Sequence, residues 1–263
     1  MAGIPRANLI DLSNVAWSLA RVLEDGKLKA FLPKQHVARL FQQIQGAAVA
    51  AAVAAAPAAA AGLGCSGARG DTPLAWSNLL WASAKAGHYD RPLFDLAAVA
   101  VVTRDAMCGA KPRAWSDLLW AYARFKHYHE PLFTHAASAL LTEGRRSPAQ
   151  PHENWSNLLW AFAMVKHADP RICARVAEAV VSEGCMRGAT PAAWSNLAWA
   201  FGALGYRKPW LYNRVAVAVL DEGCMRGAAQ QHWFKLLWAF WAAERYDAVP
   251  DLHAPRCIWG IYY

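Results

Sequence analysis

The stretch WSNLLWAFA at 155–163 decides how this chain is read. It returns as WSNLLWASA at 76–84, WSDLLWAYA at 115–123 and WSNLAWAFG at 194–202, with a looser copy, WFKLLWAFW, at 233–241. The leading tryptophans Trp76, Trp115, Trp155, Trp194 and Trp233 step by 39, 40, 39 and 39 residues, and Pro73, Pro112, Pro151 and Pro191 precede four of them. A second proline series, Pro92, Pro131, Pro170 and Pro209, also steps by 39. A fixed period in this range is the signature of a repeat architecture. A worn copy, LSNVAWSLA at 12–20, carries Leu12 in the first tryptophan's place. It lies 64 residues before Trp76, 25 more than one period, so the first repeat is expected to hold an insertion and the repeats number six.

Each unit reads as two helices. The first proline fits the opening position of helix A, with Thr72 or Thr190 as N-cap, and Gly87 is placed to end that helix. The second proline opens helix B, and links such as EGCMRGATP return the chain to the next unit. A helix pair of this size cannot bury its apolar faces alone, so the units stack. The fold expected is all-α, an α-solenoid of about six helix-turn-helix repeats with a period near 39. Residues 1–45 form the first, degenerate repeat, 46–70 a Gly/Ala-rich insertion, 71–253 five tandem hairpins and 254–263 an irregular tail. The last repeat is expected to be incomplete, because its helix B, beginning at Pro250, is interrupted by Pro255.

Composition narrows the chemistry. At 56% hydrophobic over 263 residues, the chain has ample material for a core. Lys and Arg number 27 against 19 Asp and Glu, a net charge of +8 that favours polyanionic partners. The six cysteines include no CxxC pair; Cys185 and Cys224 sit in matching EGCMRGA phrases and read as repeat-equivalent buried thiols of a reducing compartment. Residues 46–64 carry no charge over a span's length, but alanine contributes little transfer energy and Pro57 is expected to break the helix, so no membrane span is expected. No secretory signal is visible at the N-terminus. No nucleophile elbow, P-loop, paired-carboxylate site or metal spacing is present, so neither catalysis nor a cofactor is expected.

On a 3.6-residue wheel, helix A of the second repeat divides in two. Trp76, Leu79, Leu80, Ser83 and Gly87 form the core side; Ser77, Asn78, Trp81, Ala84, Lys85 and His88 form the other. Equivalent stripes hold Ser116, Asp117, Trp120, Arg124 and His127, then Ser156, Asn157 and Trp160, then Ser195, Asn196 and Trp199, and last Lys235, Trp238 and Arg245. Small residues follow the second tryptophan (Ala82, Ala121, Ala161, Ala200 and Ala239) and allow adjacent A helices to approach closely. The second tryptophan has two readings. It wedges between successive A helices, or it is a stacking platform for unpaired bases, each stack worth ~1–3 kcal/mol. The histidines read first as helix-end residues favoured by the dipole and only second as ligands.

The phrase P-x-x-W-S-N-L-L-W-A-F-A, repeated at 38–40 residues over about 9–250, resembles the octotricopeptide repeat proteins of green algae, relatives of the tetratricopeptide and pentatricopeptide arrays. The resemblance implies a right-handed superhelix and sequence-specific binding of single-stranded RNA. It further implies post-transcriptional control (stability, processing, splicing or translation) of organellar transcripts in the chloroplast or, alternatively, the mitochondrion, alongside other RNA-binding or helical repeat proteins. In that reading Ser77, Asn78, Trp81, Lys85 and His88 and their equivalents above face RNA. Lys85, Arg124, Lys235 and Arg245 would hold phosphates. The rival is a protein–protein scaffold of tetratricopeptide type using the same face.

Overall fold

The computed structural model describes residues 8–24, 33–60, 73–143, 152–181, 185–220 and 223–245. Among them are eleven α-helices and no strand. Helices α1 (Leu9–Glu24), α3 (Pro73–Ala86), α5 (Pro112–Arg124), α7 (His152–Met164), α9 (Pro191–Ala203) and α11 (Gln230–Arg245) carry the tryptophan phrase. Between them run α2 (Lys34–Ala60), α4 (Arg91–Arg104), α6 (Glu130–Glu143), α8 (Pro170–Val181) and α10 (Pro209–Leu220). The chain forms two compact units, residues 1–136 and 137–263.

The helix ends are built from recurring local devices. Thr190 caps α9, its hydroxyl accepting from the Ala193 amide at 3.2 Å, as expected from sequence. Each phrase helix from α3 to α9 ends on a left-handed residue: Gly87, Lys126, Lys166 and Gly205, with φ between 55° and 76°. The following amide bonds back five residues, His88 to Ser83, His127 to Tyr122, His167 to Phe162 and Tyr206 to Phe201, at 2.9–3.0 Å. This double closure satisfies the last carbonyls and turns the chain sharply. Fourteen residues after each leading tryptophan comes the next cap: the Asp90 carboxylate accepts from the Leu93 amide at 2.9 Å, and Asp169 from the Arg171 amide at 2.9 Å. The second proline series slips one place against this frame. Pro92 and Pro131 are the second residues of α4 and α6, whereas Pro170 and Pro209 are the first of α8 and α10.

In unit 1, α1 packs on α3 and α3 on α5, with α2 against α4; in unit 2, α7 packs on α9 and α9 on α11, with α8 against α10. Consecutive phrase helices therefore lie directly side by side within each unit. The leading tryptophans Trp76, Trp115, Trp155 and Trp194 are 0–2% exposed, and Leu12 takes their place in α1 at 2%. Partners from the following helix cover them: His135 lies 6.0 Å from the Trp115 ring, Arg175 5.3 Å from Trp155 and Arg214 5.5 Å from Trp194. Trp233 departs from the expected core role at 40% exposure, because no described helix follows α11 to cover it.

The Gly/Ala tract is a second departure. Its first fifteen residues continue α2 through Pro57 to Ala60. Alanine, the strongest helix former, flanks the proline on both sides and carries the helix past it. Ala48 and Ala52 extend the buried stripe of Val37, Phe41, Ile44 and Gln45, so the beginning of the tract is packed. Residues 61–72 and 246–263, including the expected tail, lie outside the described residues. Among the described residues no helix is long and apolar enough to cross a membrane. Among the described residues, Cys108, Cys173, Cys185 and Cys224 are thiols outside any disulfide; Cys185 is buried as expected, but Cys224 is only half-buried.

Candidate nucleic-acid interface

Within each unit, packing against neighbouring phrase helices leaves only a narrow strip of each phrase helix open. In α3 that strip is Asn78, Trp81 and Lys85, and in α5 it is Asp117, Trp120 and Arg124. In unit 2 it passes through Asn157, Trp160 and Met164 of α7, Asn196 and Ala203 of α9, and Trp238 of α11. Nearly all are half-buried; Lys85 is exposed, and Trp199 at 3% belongs to the core.

In unit 1 the Lys85 ammonium lies 5.5 Å from the Trp81 ring centre and 5.7 Å from that of Trp120, within range of both π faces. It donates to Glu24 Oε1 at 2.9 Å, and Arg21 holds the other oxygen at 2.9 Å. The bond from Lys85 keeps the Glu24 carboxyl below its ordinary pKa. Asp117 behaves oppositely. Burial pushes its carboxyl up to about 6, against the pull of Arg113, 3.6 Å away, and of Lys85. In unit 2 the Trp199 and Trp238 rings are 6.2 Å apart at 38°, and Lys235 Nζ donates to Asn196 Oδ1 at 2.8 Å.

Several expected contacts fall elsewhere. Ser77, Ser116, Ser156 and Ser195 are buried at 0–2%. The Ser77 hydroxyl donates to the Leu74 carbonyl and that of Ser195 to Ala192, each at 3.1 Å. They are spacers at close helix contacts and cannot touch a base. Lys235 is 3% exposed and bound to Asn196, so it is no phosphate ligand. His88 and His127 leave the strip because the left-handed residue before each redirects the chain. His88 stacks on Phe41 with centroids 4.9 Å apart. His127 uses both ring nitrogens within its unit, Nδ1 with Tyr89 Oη at 2.6 Å and Nε2 with Asp95 at 3.1 Å. Burial lowers the pKa of both, opposed at His127 by Asp95. The side chain of Arg245 lies outside the described residues.

Sequence reasoning missed Glu24, which neutralises Lys85, and Gln45, a buried amide donating to Ser83 Oγ at 3.1 Å and to the His88 carbonyl at 3.0 Å. Neither lies in the phrase, and no periodic signal marks them. The described residues contain no group of three His, Cys, Asp or Glu arranged to hold a metal ion.

No protein-family model matches the chain, and no curated protein matches it. The functional reading therefore rests on the residues themselves.

Proposed function

We propose that this protein is a non-catalytic binder of single-stranded RNA, an α-solenoid of six helical hairpins wound as a right-handed superhelix. The observation that carries the reading is the Lys85 ammonium set between the half-buried indoles of Trp81 and Trp120, with Asn78 and Asp117 beside them. Indole edges offer apolar contact to unstacked bases, amides offer hydrogen bonds to base edges, and the cation suits a phosphate. The net charge of +8 agrees with a polyanionic partner. The resemblance of the repeated phrase to octotricopeptide repeats extends the proposal to control of organellar transcripts, in the chloroplast or alternatively the mitochondrion.

The test is selection from a random single-stranded RNA pool at two salt concentrations, followed by Lys85→Ala with Arg124→Ala. A short enriched motif is expected, bound more weakly by the double variant whatever the RNA sequence. Each lost phosphate contact lowers the slope of log affinity against log salt by roughly 0.7. An unchanged slope removes these cations from the interface, and no retention of folded protein removes the RNA reading. One observation favours the rival protein scaffold: Glu24 and Asp117 place carboxyls on this strip, which repel phosphate and suit a basic peptide. A stoichiometric protein partner surviving nuclease treatment would carry that alternative.

A further inference from the structure

The outer face of α11 breaks the pattern of every other phrase helix. In α9, Ser195, Ala198 and Gly202 share the stripe turned to the following phrase helix: a Cβ on Gly202 would lie 3.3 Å from the Ala239 Cα. The same stripe in α11 carries Phe234, Leu237 and Trp241, exposed by 56%, 63% and 38%, with Trp233 beside them at 40%. Phenylalanine and tryptophan in the places of serine and glycine do not allow another helix at that spacing. The stripe is nonetheless apolar and left open by the described residues.

We propose that this face is covered by the chain's own residues 246–263. Four observations favour this occupant. The segment leaves α11 at its C-terminal end and includes Ile258, Trp259, Ile261, Tyr262 and Tyr263. Its eighteen residues can span roughly 59 Å when extended, whereas α11 is about 24 Å long, so the aromatic stretch reaches back along the helix with length to spare. Its register is right for the open Trp233. Asp247 falls fourteen residues after the tryptophan, where Asp90 and Asp169 cap, and His253 falls twenty after, where His135, Arg175 and Arg214 cover theirs. Finally, the four exposed side chains offer on the order of 400 Å². Two such faces together give roughly 800 Å², short of the ~1,200 Å² of a stable dimer, whereas a tethered segment needs far less area.

The test compares the full chain with a full-length variant bearing Ile258→Ser, Trp259→Ser and Ile261→Ser, without RNA, so its outcome is independent of the RNA reading. Amide exchange of α11, binding of a hydrophobic dye, and mass by light scattering are recorded. The expected result is about tenfold faster exchange in α11 and severalfold more dye, with exchange in α3 unchanged and the mass that of one chain. If α3 also loses protection, the single change Trp259→Ala replaces the triple one and should move α11 and dye in the same direction. Equal α11 exchange and dye binding in wild type and variant overturns the proposal. So does a wild-type dimer that Leu237→Ser dissolves, which would make a second copy the occupant.

Discussion

Replacing Asp117 by asparagine should stabilise the protein at neutral pH, and the gain should shrink on acidification. Asn78, Asn157 and Asn196 occupy the equivalent positions, where an uncharged amide serves. The Asp117 side chain keeps 25% of its surface accessible, and burial raises its carboxyl from 3.8 to about 6. Because the folded pKa is the higher one, the folded state holds a proton between 3.8 and 6 that the unfolded chain has released. The group is therefore harmless below about 3.8, increasingly destabilising as pH rises to 6, and destabilising by a constant amount above that. At ~1.4 kcal/mol per pKa unit, the full effect is about 3 kcal/mol. The residual solvent access and the Arg113 pair make ~1–3 kcal/mol the range to expect. Urea unfolding of wild type and Asp117→Asn at pH 7.5 and pH 4.5 measures it. The stability gap should fall from as much as ~3 to ~1 kcal/mol between the two conditions. Burial also lowers the pKa of His88 and His127, but both are common to the two proteins and cancel in the difference. A gap that stays constant, or widens at pH 4.5, refutes the assignment of a desolvated carboxylate.

The leading tryptophans should not be equivalent. Trp155→Ala should cost ~3–5 kcal/mol in a denaturant titration, whereas Trp233→Ala, at a side chain already 40% exposed, should cost less than half as much. Gly202→Leu forces a side chain onto Ala239 and Trp238, each 3.3 Å from the first carbon added. It should destabilise by ~1–3 kcal/mol or more, and a wild-type melting curve would mean that α9 and α11 are not this close. Ser77→Ala and Ser195→Ala should each leave RNA affinity unchanged in a filter-binding assay, since both hydroxyls are buried on backbone carbonyls.

The helices were legible in the sequence because their signals are local and repeated: a proline or Thr190 at the start, a glycine at the turn, and tryptophans at one period. The open strip was legible only in part, and Ser77 explains why. A helical wheel assigns one buried face and one wet face, which suits a helix on a surface. A phrase helix flanked by its equivalents is buried on three sides, so the residue beside the leading tryptophan is core although it is polar. The clue was present, because this position holds Ser77, Ser116, Ser156 and Ser195 without exception until Phe234. Alanine after the second tryptophan allows close approach, as at Ala239 beside Gly202. A serine bonded to its own helix's carbonyl allows the same approach, and its hydroxyl disguises it as a binding residue. His88 and His127 leave the strip for a different reason: each follows a left-handed residue, past which helical spacing no longer fixes direction.

Lys85 and Lys235 show where sequence position ends and structure takes over as a guide to function. Both are lysines on phrase helices of a basic chain, and charge alone assigns both to phosphate. Lys235 stands at the place of Asn196 in its repeat, and the contact between phrase helices brings equivalent positions together, so its ammonium ends on that asparagine and loses its access to water. Lys85 stands seven residues further along, two turns beyond the close contact, where the strip is open and the neighbouring indoles flank it. The same packing that buries one cation thus presents the other. A binding surface on such an array is therefore set by distance along the helix from the close contact, more than by the kind of residue found there.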